Sequence, residues 1–268
     1  DFWPRGRSIS FVLAVIATDY ATSGGIGLYA QYAFSYHMVA HMILGMIAPI
    51  GFVLSAPATL ALRTLPIGRD DDERGIRGTL ISLIHSKAMT FYTNPVVVLA
   101  LFDGSLFLVY TTNLFNILMG SHSGHMLMNI HFLAAGYLFF HVIIGVDPNP
   151  KKLPHIVRII VLFAAMSIHA FFSIVLLSTS TVLNFDRYSQ PWNLDLLANQ
   201  HIGASIGWAM GEVPILLALV ATFIQWSRDD SREQKRIDRA AERAAAMGED
   251  DELAEYNRFL SDLSVEDK

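Results

Sequence analysis

Ten histidines and ten methionines occur in a chain of 268 residues that has no cysteine, which leaves imidazole, thioether and carboxylate to hold a transition metal. His37 and His41 stand four residues apart, which on a helix places their rings about 6 Å apart on one face. His122 and His125 stand three apart and form a similar pair if that turn is helical. Two such pairs facing each other would bring four nitrogens together. Met38, Met42 and Met46 run down the helix beside the first pair, and Met119, Met126 and Met128 flank the second. Imidazole suits copper and zinc, whereas thioether sulfur selects Cu(I), so copper is the metal both ligand types share. Taken singly, a membrane histidine is usually packing and a methionine stripe is usually core. Seven histidines gathered at one end of the apolar segments are harder to read that way. The candidate ligands are His37, His41, His122, His125, His131, His169 and His201, with Met42.

Such a site needs helices that hold these residues at matched depth. Hydrophobic residues make up 53% of the chain and charged residues only 16%, against about 25% charged in soluble domains. Six apolar stretches are long enough for a hydrocarbon layer of roughly 30 Å, which takes about 20 helical residues. They are Ser8–Leu28, His37–Leu62, Ala88–Tyr110, Gly124–Val146, Ile156–Ser180 and Gln200–Trp226. The expected fold is all-α: a polytopic membrane bundle of about six transmembrane helices over residues 1–227, then a charged cytoplasmic helical tail over 228–268. Pro49, Pro57, Pro95 and Pro214 fall inside the spans, which is tolerable where neighbouring helices satisfy the freed carbonyls.

Lysine and arginine set the orientation. Arg5, Arg7, Arg63, Arg69, Arg74, Arg77, Lys87, Lys151, Lys152 and Arg158 fall on one side of this layout and only Arg187 on the other. Positive charge favours the cytoplasm, so both termini are expected there in a multi-pass protein of the bacterial plasma membrane. The connections Leu28–Tyr36, Thr111–Ser123 and Thr181–Asn199 then face outward. Their aromatics, Tyr29, Tyr32, Tyr36, Phe115, Phe185, Tyr188 and Trp192, suit the membrane–water interface. His37 and His41 are expected at that outer mouth, within reach of water. Roughly 10–17 Å further in, at 1.5 Å per residue, a second layer comprises Asp19, Asp103, His131, His169 and Glu212. Ionisable groups at such depth are costly unless paired, so Asp19 and Glu212 are expected to be shielded from lipid. In the tail, Arg239, Glu242 and Arg243 are spaced for helical pairing, and Gly248 marks a stop. Leu253, Tyr256, Phe259, Leu260 and Leu263 could form an apolar face beyond it.

No nucleophile–base–orienter set, phosphate-binding glycine loop or nucleic-acid-binding feature is evident, so neither an enzyme nor a nucleic-acid partner is expected. Three readings remain open: a copper-insertion factor, a copper permease, and a haem-binding membrane cytochrome with His131 and His169 as haem ligands.

Several motifs carry a family resemblance. His37-Met38-Val39-Ala40-His41-Met42, then Ala48-Pro49 and Ser55-Ala56-Pro57, resemble the HMxxHM…AP…GAP signature of CtaG-type cytochrome c oxidase assembly factors. The stretch His125–Tyr137 is similar to that family's helix with H…HF-L-x-A-G-Y, and Gly145-Val146-Asp147-Pro148 follows as in its actinobacterial branch. Asn199-Gln200-His201, Trp208 and Gly211-Glu212-Val213-Pro214 resemble the segment DQ…W…GE-x-P, with Asn199 in place of the usual aspartate. Asp251-Glu252-Leu253 with Tyr256-Asn257 is similar to the tail of that branch. The resemblance implies a membrane factor that helps place copper in a haem–copper oxidase. An oxidase subunit, an extracytoplasmic copper donor and the lipid bilayer would be its partners. Some members of the family carry this segment behind a copper-resistance-D-like membrane domain.

Overall fold

Each long apolar stretch folds as helix, and no strand occurs among the described residues. The computed structural model describes residues 2–66, 75–150, 152–183, 188, 194–246 and 255–257. In chain order the helices are α1 (Arg5–Thr22), α2 (Gly25–Tyr29), α3 (Phe34–Met42), α4 (Ala48–Ser55), α5 (Pro57–Thr64), α6 (Ile76–Ile84) and α7 (Lys87–Tyr92). They continue with α8 (Pro95–Leu99), α9 (Ser105–Thr111), α10 (Leu114–Met119), α11 (His122–Ile144), α12 (His155–Ser178) and α13 (Leu196–Ala246). Single π-helical turns join α3 to α4 (Ile43–Ile47) and α8 to α9 (Ala100–Gly104).

Five segments are long and apolar enough to cross a membrane: Arg5–Tyr29, Phe34–Thr64, His122–Ile144, His155–Ser178 and Leu196–Ala244. The sixth expected span, Ala88–Tyr110, is broken, and its continuous apolar part is Pro95–Thr111. The break has a local cause. The Asn94 side chain accepts the Val96 N–H at 2.9 Å and Pro95 occupies the first helical turn, so a new helix starts inside the apolar run.

Pro49 explains the first π turn. Proline has no N–H for the carbonyl four residues before it, that of Gly45, and its ring crowds that oxygen. Gly136 of α11 comes so close to the Gly45 carbonyl that any Cβ at 136 would collide with it. A glycine Cα–H against a freed carbonyl is a weak but favourable contact, and it draws α11 onto the second span.

At the next break, Ala56 sits in the left-handed region (φ 52°) between α4 and α5. Pro57 opens α5, whose free N–H groups are met by a residue far away in sequence. Asp147 is buried, with its carboxylate accepting Ala58 N–H at 3.2 Å, Thr59 N–H at 2.7 Å and the Thr59 hydroxyl at 2.6 Å. Asp147 reaches α5 because Gly145 ends α11 in the left-handed region (φ 63°) and turns the chain. Arg158 then donates to the Ile143 carbonyl at 3.1 Å, satisfying the end of α11.

The aromatics Phe115 and Tyr188 are buried rather than interfacial, whereas Tyr29, Tyr32 and Tyr36 are exposed as expected. Asp19 also departs from expectation. It is exposed on α1, which buries only Ala14 and Ala21. With so narrow a buried face, a residue on α1 is shielded only when it lies in register with those two alanines.

The chain divides into two compact units, Asp1–Thr222 and Phe223–Lys268. In the second, the helical residues up to Arg243 are largely exposed, with Arg232–Asp229 at 3.6 Å and Arg236–Glu233 at 2.9 Å as i,i+3 pairs. Tyr256 is exposed. Arg69, Arg74, Lys151, Phe185, Arg187, Trp192, Gly248, Asp251, Glu252, Leu253, Phe259, Leu260 and Leu263 lie outside the described residues.

Replacing Asp147 with Ala removes the only carboxylate on the α5 N–H groups among the described residues. The loss is expected to be about 1–2 kcal/mol, as for other N-caps, and more if the buried N–H groups stay dry. Thermal unfolding in mild detergent should show a clearly lower midpoint, and an unchanged midpoint would remove the cap from the account of α5.

Candidate metal-binding site

The chain reverses at each end of the bundle, so the start of α3, the end of α9 and the start of α11 meet. His37 and His41 lie on successive turns of α3, with ring centroids 4.2 Å apart and both side chains buried. Ser121 caps α11 by accepting the Gly124 N–H at 3.0 Å, and His125 one turn in joins the α3 pair. Its ring lies 5.6 Å from that of His37 and 6.5 Å from that of His41. One ligand atom from each of His37, His41 and His125 falls within 4.8 Å of the others. Two nitrogens on one metal, at about 2.0–2.1 Å each, sit roughly 3.3–3.6 Å apart. About 1 Å of side-chain adjustment therefore separates this arrangement from a three-nitrogen site.

Tyr110 from α9 completes the cluster. Its hydroxyl lies 3.2 Å from His37 Nε2 and 3.2 Å from His41 Nδ1, holding both rings by one nitrogen each. His41 Nε2, the other nitrogen, is buried and has no hydrogen-bond partner among the described residues. Aromatic rings wall the cluster: Phe115 stands edge-on to His37 at 5.1 Å and Phe132 edge-on to His41 at 4.6 Å. The expectation that His37 and His41 lie open to water is therefore corrected. The Phe34, Tyr110 and Phe115 rings close over them.

The other candidates are placed elsewhere. His122, the first residue of α11, is exposed and outside the three-histidine group. His131 is half-buried further down α11, within electrostatic range of His41, and its Nε2 is buried without a partner among the described residues. His201 faces the Thr179 carbonyl at 3.1 Å through Nε2. Met42, like Met38 and Met46, is buried in the apolar core.

Two neighbours of His201 are also fasteners. Asn199 accepts the Ser35 N–H at 3.1 Å and donates to the Ser35 hydroxyl at 2.9 Å, fixing the start of α3. An aspartate could accept that N–H, but only the amide can also donate. Gln200 holds the residues just after α12, accepting Leu183 N–H at 2.8 Å and donating to the Thr181 carbonyl at 3.1 Å.

His169 and Asp103 form the deeper layer, both fully buried. His169 Nε2 faces the Gly207 carbonyl at 3.2 Å, and Nδ1 faces Asp103 Oδ1 at 3.4 Å. A carbonyl only accepts, so Nε2 carries hydrogen. One further proton must then lie between Nδ1 and Oδ1 for that contact to be favourable. Glu212 is half-buried and within electrostatic range of both groups. Gly203, Gly207 and Gly211 form a stripe on α13 that lets neighbours approach closely. A Cβ at 203 would meet the Phe34 ring, one at 207 the Met38 side chain, and one at 211 the His169 ring.

A family model described as cytochrome c oxidase caa3 assembly factor (Caa3_CtaG) matches residues 1–229. The chain belongs to this CtaG family. It is 42% identical over 265 residues to uncharacterized proteins of Mycobacterium bovis and Mycobacterium tuberculosis, and 41% identical to one of Mycobacterium leprae. Each match takes in 98% of this chain but 40% of the relative, so the chain spans less than half the length of these proteins. No solved structure matches. Tyr110 is the site residue that sequence reasoning missed, because a tyrosine at the end of an apolar span carries no periodic signal of its own.

Adding a methyl group at Gly211 should drive His169 from its place. Gly211→Ala is expected to cost about 1–3 kcal/mol, the range for overpacking, measured by thermal unfolding in detergent. In a His169→Ala background the same substitution should be close to neutral, because the ring it strikes is gone. Equal costs in both backgrounds would disprove the contact.

Proposed function

We propose that this CtaG-family chain is a copper-handling assembly factor, which takes up Cu(I) at His37, His41 and His125 and passes it to a haem–copper oxidase. The observation that carries the reading is the Tyr110 hydroxyl between His37 Nε2 and His41 Nδ1, with His41 Nε2 buried and unpartnered among the described residues. Metal-ligating histidines characteristically hold their second ring nitrogen on such an outer partner, which fixes ring orientation and tautomer. When both rings ligate, each outer nitrogen carries hydrogen and Tyr110 accepts from both. Three imidazoles suit copper as they suit zinc, and membership of a family described as oxidase assembly factors favours copper between the two. His131, whose buried Nε2 further along α11 also has no partner among the described residues, is the next station inward.

The site's end of the bundle would face outward. Arg5, Arg7, Arg63, Arg77, Lys87, Lys152 and Arg158 all lie toward the opposite end along the chain, so the positive-inside bias supports cytoplasmic termini. This reading counts Lys87–Thr111 as a broken sixth crossing, in keeping with the contacts of Tyr110 with His37 and His41. The cytochrome reading is disfavoured by a specific contact. Both nitrogens of His169 face protein partners, Asp103 and Gly207, so neither is open to a haem iron.

Metal analysis after copper loading of the purified chain tests the proposal. His125→Ala, a change at a half-buried position, should lose most of the bound copper while unfolding like the wild type. Tyr110→Phe keeps the ring and should weaken copper binding about 10-fold or more, the usual effect of losing an outer partner. Undiminished copper in both variants would remove the three-histidine site. In cells lacking the protein, the oxidase should be present with its haem but short of copper.

A further inference from the structure

A cavity of about 370 Å³ lies between α1 and α5, at the end of the bundle opposite the histidine cluster. Phe11, Val12, Leu60 and Ala61 supply apolar walls, and Trp3 and Arg7 stand at its mouth. The Arg7 guanidinium lies 4.8 Å from the centroid of the Trp3 ring, and that of Arg63 lies 5.7 Å from the same ring. Two cations thus converge on one indole, and none of the described lining residues is a carboxylate. Cation–π attraction to a shared ring offsets part of their repulsion, and among the described residues no carboxylate neutralises the pair. An anion is the complementary ligand. The apolar walls decide which anion: free phosphate has no use for a lined slot, whereas a lipid brings its acyl chain with the phosphate. Tryptophan and arginine at the ends of apolar helices also place the mouth at headgroup level.

We propose that this cavity binds one anionic phospholipid, its phosphate between Arg7 and Arg63 and an acyl chain along Phe11, Val12 and Leu60. The bound lipid would fasten the start of α1 to α5, because Arg7 and Arg63 come from those two helices and share one phosphate. Basic pockets between membrane helices are recognised sites for anionic headgroups. The assignment is independent of the copper reading, since none of its residues lies in the histidine cluster.

Native mass spectrometry of the full chain, released from detergent holding equal amounts of phosphatidylglycerol and phosphatidylcholine, tests this. The wild-type protein should retain phosphatidylglycerol preferentially, each arginine contributing about 1 kcal/mol, or roughly fivefold. Arg7→Gln with Arg63→Gln should bring the ratio close to unity. Arg5→Gln, outside the cavity on the same helix, should leave the ratio unchanged and controls for general loss of charge. Equal retention of the two lipids by the wild type would overturn the proposal. So would an undiminished preference in the double variant, or an equal loss in Arg5→Gln. Displacement of phosphatidylglycerol by millimolar inorganic phosphate would assign the site to free phosphate instead. Copper content should be the same in every variant.

Discussion

Inside a hydrocarbon layer a polar group must find its partner within the protein, and each break in a helix creates groups that need one. The bundle meets this demand with contacts distant in sequence. Pro49 leaves the Gly45 carbonyl without its helical donor, and Gly136 approaches from α11. The chain turns at Ala56, and Asp147 from beyond α11 receives the new N–H groups of α5. Asn199 does the same for the start of α3 from α13. Helix irregularities that would each be a liability alone therefore tie the spans together.

The candidate site rests on that fastening. His37 and His41 can face His125 only while α3 is held at its start by Asn199 and α11 is drawn in through Gly136. The π turn that begins two residues after His41 fits a functional position, since such turns are frequent at functional sites. Tyr110 is the penultimate residue of the broken span and hydrogen-bonds both α3 histidines. Neither ring is then free to rotate into the apolar surroundings, and the cluster is organised before any ion arrives. Pre-set donors of this kind lower the cost of ordering on binding.

Family membership and geometry bear on different questions. The match over residues 1–229 places the chain in the family described as cytochrome c oxidase caa3 assembly factor, whereas the convergence of three imidazoles concerns what this chain could hold. The mycobacterial relatives are longer, with this chain corresponding to 40% of each. Whatever the remaining portion of those proteins does, the histidine cluster and its fasteners lie wholly within the shared part.

Composition, apolar run length and residue spacing alone determined the helical class, five of the six candidate membrane segments and the pairing of His37 with His41, because these depend on hydrophobicity and the helical period, which are local. The i,i+3 spacing put forward His122 and His125 together as partners on a facing helix, without choosing between them. Tertiary structure decided the rest. It separated His125 from His122, buried a histidine pair that position along the span assigned to a wet mouth, and gave His169 to Asp103. It also showed that Asp147, Asn199 and Gln200, in motifs that carried the family resemblance, fasten helix ends and a loop. Which nitrogen meets which hydroxyl depends on helix rotation and close approach at glycines such as Gly136 and Gly211. Those are set by packing between segments more than 160 residues apart in places, and no local pattern in the sequence encodes them.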